Sequence, residues 1–67
     1  MEIFLASVER RAYRMAEIGT DNSDEALDIV QEAMFGFVRN YSARPEEEWR
    51  PLFFRILQNK IRDWHRK

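Results

Sequence analysis

The sequence predicts an all-α fold, a small three-helix bundle, and three observations carry that expectation. Apolar residues recur at steps of three and four along most of the 67 residues. Only two glycines and two prolines interrupt the chain, too few for many short strands joined by turns. Cap-forming residues stand where the apolar stripes start and stop.

The first segment, Ile3 to Ile18, places Ile3, Phe4, Leu5, Val8, Ala12, Met15 and Ala16 on one stripe with Tyr13 beside it. Gly19 follows as the expected helix stop, since glycine tolerates the left-handed conformation of a C-cap. Asn22 and Ser23 offer N-caps for the second helix, and Asn22 with Glu25 approximates a capping box. Asp24, Glu25 and Asp28 crowd its positive dipole end. This helix should run to about Asn40, with Leu27, Val30, Met34, Phe37 or Val38, and Tyr41 buried. Asp28, Gln31, Glu32, Phe35 and Arg39 then face outward, and Phe35 is a large apolar side chain among acids and amides.

Ser42 to Arg50 holds Pro45 and three consecutive glutamates and reads as a loop, with room for one helical turn starting at Pro45. Pro51 suits the first position of the third helix, which should reach the chain end. Its stripe is Phe53, Ile56, Leu57, Ile61 and Trp64. Short connections make the three helices pack as a bundle. At this length only about 60% of the unfolded surface is buried, so the margin of stability is thin.

Composition narrows the function. There is no cysteine, hence no disulfide and no thiolate metal site. One histidine, His65, makes no zinc site alone and has no nucleophile to serve. The two glycines are isolated, so no phosphate-binding loop is present. The chain is therefore expected to be no enzyme, with no catalytic residue, no metal and no cofactor. No apolar run approaches the roughly 20 residues of a membrane span, and no signal-peptide pattern opens the chain. The expected setting is cytoplasmic.

The net charge of −1 hides a strong asymmetry. Residues 1–19 sum to zero, residues 20–48 to −6 and residues 49–67 to +5. An acidic middle and a basic end suggest two oppositely charged partners, although solvated bundle faces give the same pattern. In the third helix, arginines and lysines mix with amides. Cations neutralise phosphates, and Asn or Gln amides reach base edges. Trp49, Phe54 and Trp64 add aromatic faces on which unstacked bases can rest, for about 1–3 kcal/mol each; for Trp64 a place in the core is the stronger expectation.

Two stretches resemble a known family. Ala26-Leu27-Asp28-Ile29-Val30-Gln31-Glu32-Ala33-Met34-Phe35 resembles the polymerase-docking helix of sigma-70 family factors, whose extracytoplasmic-function (ECF) group usually reads Ala-x-Asp-Leu-Val-Gln-Glu there. Leu52 to Arg66 is similar to the family's promoter-reading helix, with Ile56, Asn59, Asp63 and Arg66 in register. Leu52 stands where that motif typically opens with Trp, Trp49 lies one turn earlier, and Lys60 takes a usually apolar position.

The likeness spans nearly the whole chain as region 2. It implies that Asp28, Ile29, Gln31, Glu32 and Phe35 bind core RNA polymerase at the clamp coiled coil of its largest subunit. It implies that Arg55, Gln58, Asn59, Arg62, Arg66 and Lys67 meet the minus-ten promoter element, especially its non-template strand. The loop bearing Ser42, Arg44 and Trp49 would hold a flipped base, and an anti-sigma protein commonly covers such surfaces. The chain ends before any domain for the minus-thirty-five element, so the resemblance makes it one excised domain. The alternative is a helical protein-interaction module, or a homodimer through Phe35 and Phe54, that binds no DNA.

Overall fold

A computed structural model describes residues 1–66. Three helices follow in order: α1, Glu2–Thr20; α2, Ser23–Tyr41; and α3, Trp49–His65, preceded by a short 3-10 turn at Glu46–Glu48. Among the described residues there is no strand, and no helix is long and apolar enough to cross a membrane.

The α1–α2 corner is held by local hydrogen bonds. α1 overruns Gly19 by one residue and ends at Asp21, whose φ of 55° puts it in the left-handed region and whose N–H bonds the Glu17 carbonyl at 2.8 Å. Aspartate is one of the few non-glycine residues that tolerates this conformation. The Thr20 hydroxyl donates to the Ala16 carbonyl at 2.8 Å and accepts from the Asn22 N–H at 3.3 Å. Asn22 caps α2, its Oδ1 accepting from the Glu25 N–H at 3.0 Å. Only this half of the expected capping box forms, because the Glu25 carboxylate turns away to accept from Trp64 Nε1 at 3.2 Å.

Gly19 has a different task from the one its position suggests. An added Cβ would stand 2.8 Å from Ile61 Cγ2, so the missing side chain permits the close approach of α1 and α3. His65 Nε2 lies 2.5 Å from the Gly19 carbonyl oxygen, tying the same two helix ends together. α3 also starts two residues earlier than Pro51. The turn at Glu46–Glu48 runs straight into it, with the Trp49 N–H bonded to the Glu46 carbonyl. Pro51 then sits third in the helix, still among the first N–H groups that lack an intrahelical partner.

The core is Val8, Ala12 and Ala16 of α1, Ala26, Ile29, Val30, Ala33 and Phe37 of α2, and Phe53 and Leu57 of α3. Phe37 and Phe53 meet edge to face with centroids 6.0 Å apart, and Phe4 packs on both, at 5.4 and 6.1 Å. The α2 stripe departs from expectation. Leu27 and Val38 are exposed, while Ala26, Ile29 and Ala33 are buried. The alanines occupy the core-facing positions on α2, which rotates the bulkier Leu27 and Val38 outward.

Two measurements test this packing. Gly36 has no atom within 4 Å of a would-be Cβ, so Gly36→Ala should stabilise the domain by about 0.5–1 kcal/mol through helix propensity. Gly19→Ala should instead destabilise it by about 1 kcal/mol or more, because crowding Ile61 outweighs that gain. Urea denaturation reads both, and a stabilised Gly19→Ala would refute the close approach. Asn22→Ala should remove about 1 kcal/mol, visible as a lower midpoint with an unchanged slope.

Candidate functional site

The outer face of α3 is a strip of cations and amides. Arg55, Gln58, Asn59, Arg62 and Arg66 are all exposed. Their spacing confines them to an arc of about 100° on a helix of 3.6 residues per turn, opposite buried Phe53 and Leu57. Lys67, expected with them, lies outside the described residues. None of the strip's arginines is paired with a carboxylate: among the described residues the one ion pair is Arg44–Glu48. Arg62 also lies in the last turn of α3, where a cation is favourable beside the helix's negative end.

The aromatic residues are committed elsewhere. Trp49 is half-buried, packed on Phe4 at 5.5 Å and Phe37 at 6.1 Å, and its Nε1–H donates to the Arg44 carbonyl at 2.9 Å. Phe54 meets Phe53 at 5.2 Å, and the Arg11 guanidinium covers it at 5.8 Å from the ring centroid. Trp64 is half-buried, bonded to Glu25 and set edge to face against His65 at 5.2 Å. The expectation of free stacking faces is corrected for Trp49 and Phe54, Trp64 takes the place against the core that was the stronger expectation, and Trp49 is a strut of the loop. A bundle this small needs its large rings for burial. Phe54, one half of the expected Phe35–Phe54 homodimer contact, is half-buried with Arg11 over its ring.

The loop is anionic. Arg44 is engaged by Glu48, its Nε 3.1 Å and its Nη2 2.5 Å from Oε1. Both partners are well exposed, so this pair contributes no more than about 0.2–1 kcal/mol. Glu46 and Glu47 stand free in solvent, as does Ser42 at the end of α2.

On the opposite side, α2 presents Asp28, Gln31, Glu32 and Phe35 on one exposed arc. Phe35 is 72% exposed. Ile29, expected among these contacts, is 4% exposed. That assignment is corrected: the residue points into the core beside Ala26 and Ala33 and offers nothing to a partner. In its place the structure adds apolar residues that pattern reading had buried. Leu27 and Val38 are exposed, and Leu5, Gln31, Met34, Phe35 and Val38 line a shallow hollow of about 450 Å³. A groove of about 530 Å³ between α1 and α2 adjoins it, lined in part by Tyr13, Leu27 and Gln31. The Tyr13 hydroxyl donates to Glu17 at 3.2 Å. Desolvation and that carboxylate push the phenol above its ordinary value, so it stays neutral.

Lys60 is half-buried where α2 meets α3, the single cation in a cleft lined by Glu25, Asp28, Glu32 and Asp63. Its aliphatic stem covers the seam and its ammonium offsets the carboxylates, which accounts for a lysine at that position. Among the described residues no group of His, Cys, Asp or Glu could hold a metal ion.

Thus one small scaffold carries an anionic and apolar edge on α2 and a cationic, amide-bearing strip on α3. The family model described as Sigma-70 region 2 matches residues 2–67. Searches of the curated proteins and of the solved structures each returned no significant match. With a match across all but its first residue, the chain belongs to the sigma-70 region 2 family, whose role lies in RNA polymerase binding and promoter recognition at transcription initiation.

Proposed function

We propose that the chain is a region 2 domain of the ECF type that divides its two tasks between two helices. The α2 edge binds the clamp coiled coil of the largest polymerase subunit through Asp28, Gln31, Glu32 and Phe35. The α3 strip binds the minus-ten element, chiefly the non-template strand, through Arg55, Gln58, Asn59, Arg62 and Arg66. The observation that supports this division is the exposure of both residue sets on separate faces of opposite charge.

The chemistry suits each partner. Carboxylates and an amide on a helix edge make charge-assisted hydrogen bonds to a cationic partner, and Phe35 with Leu27 and Val38 supplies the apolar centre an interface needs. On α3, the arginines neutralise phosphates while Gln58 and Asn59 reach base edges. Guanidinium planes also stack on unpaired bases. With Trp49, Phe54 and Trp64 committed, such planes are what this face offers a splayed base. Opening the duplex here is capture: the strip favours the separated strand and needs no fuel. The Ser42–Trp49 loop borders the strip's N-terminal end, with Ser42 its open polar group.

Retention on an immobilised polymerase clamp fragment tests the first half. Glu32→Lys and Gln31→Ala should each weaken it, Glu32→Lys by about 1.5–3 kcal/mol, the worth of a hydrogen bond to a charged group. Unchanged retention of both variants would remove the α2 assignment. Anisotropy titration with a labelled single-stranded minus-ten oligonucleotide tests the second. Asn59→Ala should lose about 1–3 kcal/mol of discrimination between sequences. Arg62→Gln should weaken all sequences alike and flatten the salt dependence by about 0.7. If neither variant differs from wild type, α3 is not the DNA-binding helix.

A further inference from the structure

We infer that the α2 edge is complementary to itself: two copies of this chain pair through it about a twofold axis, which hides the edge from polymerase. The pairing stands on the geometry of α2, while its consequence for polymerase rests on the α2 reading above.

Large exposed apolar side chains occur in two settings. Ile3 and Ile18 of α1 are 87% and 76% exposed, but they stand about 22 Å apart along the helix. Apolar residues scattered singly in this way are ordinary on a surface. On α2, Phe35 and Val38 stand one turn apart, and with Met34 and Leu5 they border the hollow of about 450 Å³. A ring beside an apolar hollow is a knob beside a hole. Under a twofold axis each ring enters the hollow of the other copy, the isologous arrangement usual in homodimers.

The charges single out a second copy as the occupant. Helical phase puts Glu32 and Arg39 on the flank of Phe35 away from the hollow. They lie about 10 Å apart along the helix, with Phe35 near their midpoint. When two α2 helices meet antiparallel across Phe35, the twofold keeps like flanks together and reverses their direction. Glu32 of each copy then faces Arg39 of the other, so two ion pairs bracket the rings. The two Glu32 carboxylates stay about 10 Å apart, a Debye length at 0.1 M salt, and the two Asp28 carboxylates about twice that. Glu32 and Arg39 are exposed, and neither takes part in an ion pair among the described residues. Arg39, which has no role in the polymerase contact proposed above, acquires one here.

Rim charges of this kind set partner and register more than strength. One helix edge with a few apolar residues is a small interface, at the weak and reversible end of the range. The dimer therefore forms when the domain is concentrated and gives way to polymerase, which covers the same residues.

Sedimentation equilibrium of the 67-residue chain, from about 10 μM to about 1 mM, tests the pairing without polymerase. Wild type should pass from monomer to dimer across this range. Phe35→Ser should weaken association about tenfold or more, as loss of a central aromatic anchor does, while Ile18→Ser should match wild type. Glu32→Arg and Arg39→Glu should each be monomeric alone, because like charges then meet on both sides of the rings. Mixed in equal amounts they should form a heterodimer, since every Arg then faces a Glu. All four positions are exposed, and unchanged helical circular dichroism confirms that each variant is folded. Wild type that stays monomeric, a mixture that stays monomeric, or a dimer disrupted by Ile18→Ser and spared by Phe35→Ser overturns the pairing. Added polymerase clamp fragment should convert the dimer into a one-to-one complex. A complex that keeps two paired copies of the domain overturns the masking. If the fragment does not bind while wild type still dimerises, the polymerase reading falls and the pairing stands.

Discussion

The aromatic cluster at one end of the bundle sets the rotation of every helix. α1 contributes Phe4, α2 Phe37 and α3 Phe53, with Trp49 closing the group, and ring centroids lie 5.4–6.1 Å apart. Once these rings are buried, each helix has a fixed phase. Asp28, Gln31 and Glu32 must then face away from the core on α2, and Arg55, Asn59 and Arg62 must do so on α3. The two faces are consequences of burying one cluster. Truncating a fully buried ring such as Phe37 removes about 3–5 kcal/mol, a large share of what a chain this small has. Binding and stability therefore share the same few side chains.

At the other end the structure relies on polar ties. Trp64 reaches back 39 positions to Glu25, and His65 reaches 46 to the Gly19 carbonyl. The first tie has an electrostatic side effect: it holds Glu25 beside Asp28 and Glu32 in the cleft where Lys60 offsets them. Acidic and basic residues of α2 and α3 meet across this buffered seam, and the outer arcs keep opposite signs. The sequence's charge blocks of −6 and +5 stay apart on the outer faces of α2 and α3, while Asp28 and Glu32 also border the cleft with Lys60.

The helices, the Asn22 cap, the turn after Pro45 and the α3 strip were legible because each depends on residues within a few positions of one another. Reading failed where packing between distant segments decides. Ile29 joins the expected polymerase contacts only through the resemblance, since the stripe of Leu27, Val30 and Met34 leaves it unassigned; in the fold it is buried on the side marked by Ala26 and Ala33. Gly19 read as a stop because its partner, Ile61, is 42 residues away. Trp49 and Phe54 read as free aromatics because the Phe4 ring and the Arg11 guanidinium they pack against lie elsewhere in the fold. Arg11 summed to nothing among balanced charges, and no local pattern joins it to Phe54.

The two indoles stand at opposite ends of α3, and each has its N–H in a distinct bond: Trp49 to a backbone carbonyl in the loop, Trp64 to a carboxylate of α2. The chain thus contains a pair of native optical reporters, one for each terminus of the helix that bears the cationic strip. Fraying near the loop and fraying near the C-terminus perturb different fluorophores, so which end yields first can be followed without attaching any dye.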